Sequence, residues 1–267
     1  MIFQPLRHLF GRRQGRDTPA RIPDGERYYV VGDIHGRSDL FDLLLEAIAR
    51  DDRERDDADT TIVLLGDLID RGPDSAGVVR RAIELTGERP TRCLAGNHEE
   101  MLLQSLDDTN MLRHFVKHGG RETILSYGIS RDEYNSLTLD ELRDRLPQLI
   151  PAEHLDFLRN LEELIVVGDY AFVHAGIDPA RPLDEQTRHD MLWIRERFLR
   201  ENSPHSHIIV HGHTIFDEVA DNGNRIGIDT GAYQSGRLTA LVLEGEGRSY
   251  INTVEHDGSI AIERTDR

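Results

Sequence analysis

Short apolar runs that break off at a polar residue recur along this chain. Residues 28–31 run into Gly32-Asp33, 61–65 into Gly66-Asp67 and 91–95 into Gly96-Asn97. Each run has the length of a strand, and each is followed by a stretch of helical character. Leu40, Phe41, Leu44, Leu45 and Ile48 form one helix face, with Ser38 placed to cap it. Pro73 stands at a helix start, ahead of Val78, Val79, Ile83 and Leu85. The spacing predicts a β-α-β-α-β series and a largely parallel sheet. Ligands of such sheets bind beyond the carboxyl ends of the strands, where these polar residues fall.

Residues 99–161 read as mainly helical, punctuated by Gly119-Gly120, Tyr127-Gly128, Pro147 and Pro151. Strands return at 164–167 and 170–173 around a Gly168-Asp169 turn, the second ending at His174. A helix over about 187–200 precedes a strand at 208–210 that ends in His211-Gly212-His213. Runs at 225–228, 238–243 and 249–254 alternate like antiparallel strands. Residues 1–26 differ: Arg7, Arg12, Arg13, Arg16 and Arg21 oppose Asp17, Asp24 and Glu26, which predicts a basic, flexible arm. Its apolar residues Ile2, Phe3, Leu6, Leu9 and Phe10 could share a helix face and make a weak membrane or partner contact. The expected organisation is that arm and one catalytic domain over 27–267, with a cap-like helical insert at about 100–162.

The net charge of −17 argues against general nucleic-acid binding, which needs basic surface to displace counterions. It does not argue against a phosphorylated substrate, because a pair of bound cations would reverse the local sign. No apolar run approaches the roughly 20 residues of a membrane span. Cys93 is the single cysteine and can form no internal disulfide, and the N-terminal residues do not read as a secretory signal, so a cytoplasmic setting is expected.

Five predicted strand ends deliver Asp33 and His35, Asp67 and Asp70, Asn97 and His98, His174, and His211 and His213. One Asp or His after a strand is ordinarily a turn former, but five strands ending alike point to one polar centre. Carboxylate, imidazole and amide oxygen without thiolate suit divalent metals: Mn first, Fe or Zn as alternatives.

Gly32-Asp33-Ile34-His35-Gly36, Gly66-Asp67-Leu68-Ile69-Asp70-Arg71-Gly72 and Gly96-Asn97-His98-Glu99 resemble the three signature blocks of the phosphoprotein phosphatase family, within the calcineurin-like metallophosphoesterase superfamily. His174 in Val-His-Ala-Gly and His213 in His-Gly-His-Thr are similar to its two later ligand motifs. The Trp193-Ile194-Arg195-Glu196-Arg197 stretch and the short chain resemble the small bacterial and phage-type members. The resemblance implies an α/β sandwich of two mixed sheets flanked by helices, with the helical segment as a cap beside the metals.

It further implies one metal on Asp33, His35 and Asp67 and a second on Asp67, Asn97, His174 and His213, with Asp67 bridging. A hydroxide bridging the two metals would attack phosphorus in line. His98 would protonate the leaving oxygen, Asp70 would orient His98, and Arg71 and Arg195 would grip the phosphate with Asn97 and His98. His211 is expected to support the ligands from behind, and Asp229 to brace the site. One departure is Ala95, where many members carry a basic residue that touches phosphate. The expected activity is a serine/threonine protein phosphatase that also takes small phosphomonoesters. A symmetrical diadenosine tetraphosphatase is the alternative, although that family generally has Ala where Asp70 stands, Asp for Glu99 and an aromatic residue for Thr214. A non-catalytic scaffold is the third reading, and it is disfavoured because every expected ligand is present.

Overall fold

The computed structural model describes residues 19–266. The strands are β1 (Glu26–Val31), β2 (Asp59–Leu64), β3 (Thr91–Cys93), β4 (Leu164–Val167), β5 (Tyr170–Val173), β6 (Ile208–His211), β7 (Ala220–Asp221), β8 (Arg225–Gly227), β9 (Arg237–Glu244), β10 (Gly247–His256) and β11 (Ser259–Asp266). They make two mixed sheets, ordered β11-β10-β9-β1-β2-β3 and β4-β5-β6-β8-β7. β1, β2 and β3 are parallel, as are β5, β6 and β8. β9 to β11 add an antiparallel wing to the first sheet.

Alternation along the strands decides the layers. Val30, Val63 and Leu65 meet Ile165, Phe172, Val210 and Ile226 between the sheets. Tyr29, Val31, Ile62 and Leu64 face the other way, onto Leu40, Phe41, Leu44 and Ile48 of α1 (Ser38–Glu54) and Val78 and Val79 of α2 (Ser75–Glu88). Ala171, Val173 and Ile209 cover the far face of the second sheet with Met191, Ile194 and Phe198. Strands buried on both faces read as unbroken apolar runs, which is why the first three were visible in the sequence.

Several local expectations change. Ser38 does not cap α1. It is the first helical residue, and its hydroxyl donates to Asp74 (2.9 Å), whose other oxygen caps α2 through Gly77 N–H. The helix expected over 187–200 is two short ones, Arg188–Trp193 and Glu196–Leu199, with Ile194 extended between them. Met191, Ile194 and Phe198 share a buried face either way, so periodicity could not expose the break. β8 pairs parallel to β6, not in an antiparallel series. β11 was missed, its polar composition hiding a hairpin whose Asp257-Gly258 turn has φ values of 49° and 77°.

Packing begins before β1. The first eighteen residues of the expected arm lie outside the described residues, and its remaining residues are not free. Ala20 and Ile22 are buried between the sheets. Ile22 N–H donates to the Gly245 carbonyl at the β9–β10 turn of the first sheet, while Asp169 N–H at the β4–β5 turn of the second donates to the Arg21 carbonyl. Arg27 is 1% exposed, held by Glu244, Asp52 and the Asp56 carbonyl. Ile22→Ala is therefore expected to lower unfolding stability by about 2–4 kcal/mol. Val166→Ala, at a position 47% exposed, should stay within about 0.5 kcal/mol of wild type. Urea denaturation of the two variants checks both.

Candidate metal centre

The carboxyl ends of β1, β2, β3, β5 and β6 open onto one edge of the sandwich, and the chain turns sharply at each to bring its polar residues inward. The first two turns are stitched together, with Ile34 N–H and His35 N–H both donating to the Asp67 carbonyl (3.1 and 2.9 Å). Six non-glycine residues among those described have left-handed φ, and five are here: His35 (47°), Asp67 (48°), Asp70 (75°), Arg71 (70°) and His213 (61°). Each costs on the order of 1–3 kcal/mol and persists only where surrounding contacts hold it. Glu99 supplies much of that support. It stands in the first turn of the helix α3 (Asn97–Ser105), and its buried carboxylate accepts from the N–H groups of Asp67, Leu68, Ile69 and Gly96. Gly212 lies against the site because a Cβ there would collide with Asp33 Oδ1.

Asp67 is the centre of this arrangement. One carboxylate oxygen lies 3.5 Å from His35 Nε2 and 3.9 Å from His98 Nε2, and the other 3.4 Å from His174 Nε2. His35, Asp67 and His98 form one group of converging donor atoms, and Asp67, His174 and His213 a second. Asp33 stands outside both groups. Its Oδ2 accepts from His213 N–H (2.9 Å), and its Oδ1 is buried without a partner.

The donor set fits divalent cations. His35 and His174 give their Nδ1 protons to the carbonyls of Ile69 and Leu65 (2.7 and 2.8 Å), which leaves each Nε2 as a lone pair. His174 Nε2 then faces Asn97 Oδ1 at 3.1 Å, two lone pairs converging with no proton between them. His213 Nε2 is buried with no partner. Burial lowers the pKa of His35 and His174, and takes His213 down to about 2, so these rings are neutral as ligands require. Burial and the charges of Asp229 and Asp67 raise Asp33, and burial pushes Asp229 up to about 6. Asp67 is the exception: burial raises it, and positive charge placed among His174, His98, His35 and His213 is what would draw it below the usual carboxylate range. Buried like charges gathered this closely call for cations.

His98 Nδ1 meets Asp70 Oδ2 at 2.5 Å. Burial opposes charge on His98, but Asp67 and Asp70 outweigh it and raise its pKa. The Arg71 guanidinium lies 2.8 Å from His35 Nε2 and 3.0 Å from His98 Nε2, under the Tyr233 ring at 4.7 Å. Arg195 is exposed between the two short helices, and its charge helps to depress His174 and His213.

His211 turns away. The strand ends at His211 and His213 has φ 61°, so the two do not share a face as strand parity would require. The His211 ring packs between Phe198 and Phe216, with Nδ1 on the Gly212 carbonyl, and supports the ligand loop by packing. Ala95 is buried, its N–H on the Glu162 carbonyl. Asp229 braces the loop through Gly231 N–H (2.9 Å).

Residues 26–238 match the family description "Calcineurin-like phosphoesterase". The chain belongs to that family. This phosphoesterase is 31% identical to serine/threonine-protein phosphatase 1 of Salmonella typhimurium, over 81% of its own length and 91% of the relative's. It is 28% identical to an asymmetrical bis(5'-nucleosyl)-tetraphosphatase of Oceanobacillus iheyensis, over 79% and 86%. The cold-active protein-tyrosine phosphatase of a psychrophilic Shewanella shares the fold, with a TM-score of 0.53 and 19% identity over 91% of this chain and 83% of that one. The phosphoesterase is thus a hydrolase of phosphate esters, and its family uses divalent metals.

Sequence reasoning missed Thr123 and Ser75, whose hydroxyls bond the Asp70 carboxylate and N–H, and Tyr233 over Arg71, and it used Glu99 only to tell families apart. The Glu99 signal was its place in the third block. Thr123 and Tyr233 reach the centre from elements whose approach no spacing encodes.

If two cations share Asp67, Asp67→Asn should lose both, whereas Asp33→Asn should lose mainly one. Elemental analysis of the purified variants measures this directly, and two tightly held metals in Asp67→Asn would rule out the shared carboxylate.

Proposed function

We propose that this phosphoesterase is a metal-dependent phosphomonoesterase acting on phosphoserine and phosphothreonine in proteins, and on small phosphomonoesters. The observation that carries this reading is the buried His98–Asp70 pair beside the converging ligands. An alkoxide leaving group needs a proton as its bond to phosphorus breaks, and an imidazole oriented by a carboxylate supplies one. Bound divalent cations would polarise the phosphate and activate water. Asp33, His35, Asp67, Asn97, His174 and His213 would hold them, with Mn the first choice for this N/O set.

The chain's own groups do the rest. Arg71 Nη2 and His98 Nε2 are 3.0 Å apart and cannot both donate, so with Arg71 in place the His98 proton sits on Nδ1, towards Asp70. When Arg71 turns its fork to phosphate oxygens, Nε2 is released to carry a proton to the leaving oxygen. Arg195, exposed between the two short helices, would supply a second guanidinium for the same oxygens. A second reading, nucleotide tetraphosphate hydrolysis, is favoured by the name of the Oceanobacillus iheyensis relative. Asp70 argues against the symmetrical form of that reaction.

The test is His98→Asn on two substrates. Turnover of a phosphoserine peptide should fall by about 10² to 10⁴, the usual worth of a general acid. The loss should be much smaller for p-nitrophenyl phosphate, whose leaving group is weakly basic, and bound metal should be unchanged. Equal losses on both substrates would remove His98 from the acid role. Wild-type kcat/KM for diadenosine tetraphosphate above that for every phosphopeptide tried would transfer the assignment to the nucleotide reading. Activity that survives full chelation would end the metal reading.

A further inference from the structure

The acid pair is gripped from an unexpected direction. Asp70 is fully buried, and His98 takes only one of its carboxylate oxygens. The other, Oδ1, accepts from the hydroxyl of Thr123 at 2.6 Å. Thr123 is 53 residues away in sequence, in the short helix Arg121–Ser126 of the inserted helical segment. Its single proton is committed to Asp70 Oδ1, so its oxygen can only accept its other bonds. It accepts from Asp70 N–H (2.8 Å), and the Ser75 hydroxyl, 2.9 Å away, can donate to it. Ser75 Oγ also receives the Asp70 N–H at 2.9 Å. The two hydroxyls close a ring on both ends of Asp70, and a carboxylate with both oxygens fixed has one orientation left.

The same segment grips the next residue. Arg71 N–H donates to the Gly119 carbonyl (3.1 Å), and Gly119 has φ 111°, with a Cβ there falling 2.6 Å from Arg71 Cγ. Asp70 and Arg71 are consecutive and both left-handed, a conformation that local preference alone would not keep. Ser126 anchors this helix to the start of α2 by accepting Ala76 N–H (3.0 Å). The helical segment thereby sets the orientation of the pair that serves the leaving group.

We propose that Thr123 is a positioning residue for leaving-group protonation, acting through Asp70 on His98. This rests on the acid role assigned above to His98. Loss of the hydroxyl frees Asp70 Oδ1, lets the carboxylate swing and blurs the direction of His98 Nε2. Metal ligation and phosphate binding do not pass through this bond.

The experiment compares Thr123→Val, Thr123→Ser, Ser75→Ala and His98→Asn on a phosphoserine peptide and on p-nitrophenyl phosphate, with metal content and melting temperature measured for each. Thr123→Val should lower kcat on the peptide roughly 10- to 100-fold, the worth of one hydrogen bond to a charged group. KM should change little, p-nitrophenyl phosphate should suffer far less, and metal content should hold. Thr123→Ser keeps the hydroxyl and should recover most of the peptide turnover. Ser75→Ala leaves the Thr123–Asp70 bond intact, so its losses should be small and alike on both substrates.

The proposal is overturned if Thr123→Val loses both substrates equally, or if Thr123→Ser is no better than Thr123→Val. It is also overturned if Ser75→Ala reproduces the graded loss, which would make the whole loop responsible. Should Thr123→Val fail to fold, Thr123→Ser still decides, since a graded loss there contradicts the hydroxyl's role. His98→Asn separates the two levels. A graded loss in His98→Asn without one in Thr123→Val removes Thr123 alone. Equal losses in His98→Asn remove the acid reading and Thr123 with it.

Discussion

A single carboxylate, Asp67, sets the terms for the rest of the centre. Its two oxygens face His35 and His98 on one side and His174 on the other, and its backbone carbonyl takes the N–H groups of the preceding ligand loop. To stand there it adopts φ 48°, and the four-fold grip of Glu99 on the surrounding N–H groups holds it. A buried carboxylate beside two others, Asp33 and Asp229, is unfavourable unless positive charge joins it. The protein arranges everything near Asp67 to receive that charge.

The cost of this arrangement is borne by the sandwich. Left-handed residues, converging lone pairs and like charges are concentrated in loops that a poorly packed scaffold could not restrain. The two sheets share an apolar core and are tied at the opposite edge by the 19–25 segment, so the strand ends that carry the ligands have fixed separations. Binding cations would relieve the electrostatic part of the strain, which links metal occupancy to stability.

The inserted helical segment joins this economy through backbone and hydroxyl groups. Gly119 and Thr123 touch the site without contributing a ligand, and they hold Asp70, which would orient His98, and Arg71, which would meet the phosphate. Such support is invisible to a search for metal-binding or titratable residue types, because a threonine and a glycine carbonyl carry no distinctive chemistry until they are placed.

The sequence by itself was sufficient for the parallel core strands, for the polar residues at five strand ends and for the family. Doubly buried strands and ligand-bearing turns are local patterns, legible wherever short-range spacing dictates structure. It missed the break at Ile194, the parallel pairing of β8 and the β11 hairpin strand, where two arrangements satisfy the same periodicity. It expected His211 behind the ligands, but strand parity could not show how: the left-handed residue at His213 turns the chain so that the His211 ring packs between Phe198 and Phe216. It read residues 19–26 as loose, although Ala20 and Ile22 are sealed between the sheets. Only the tertiary structure could place Thr123 on Asp70 or Glu99 under the Asp67 loop, because a hydrogen bond across 53 residues depends on how whole layers dock. Local sequence fixes which groups a turn presents, and the packing of distant elements decides which of them meet.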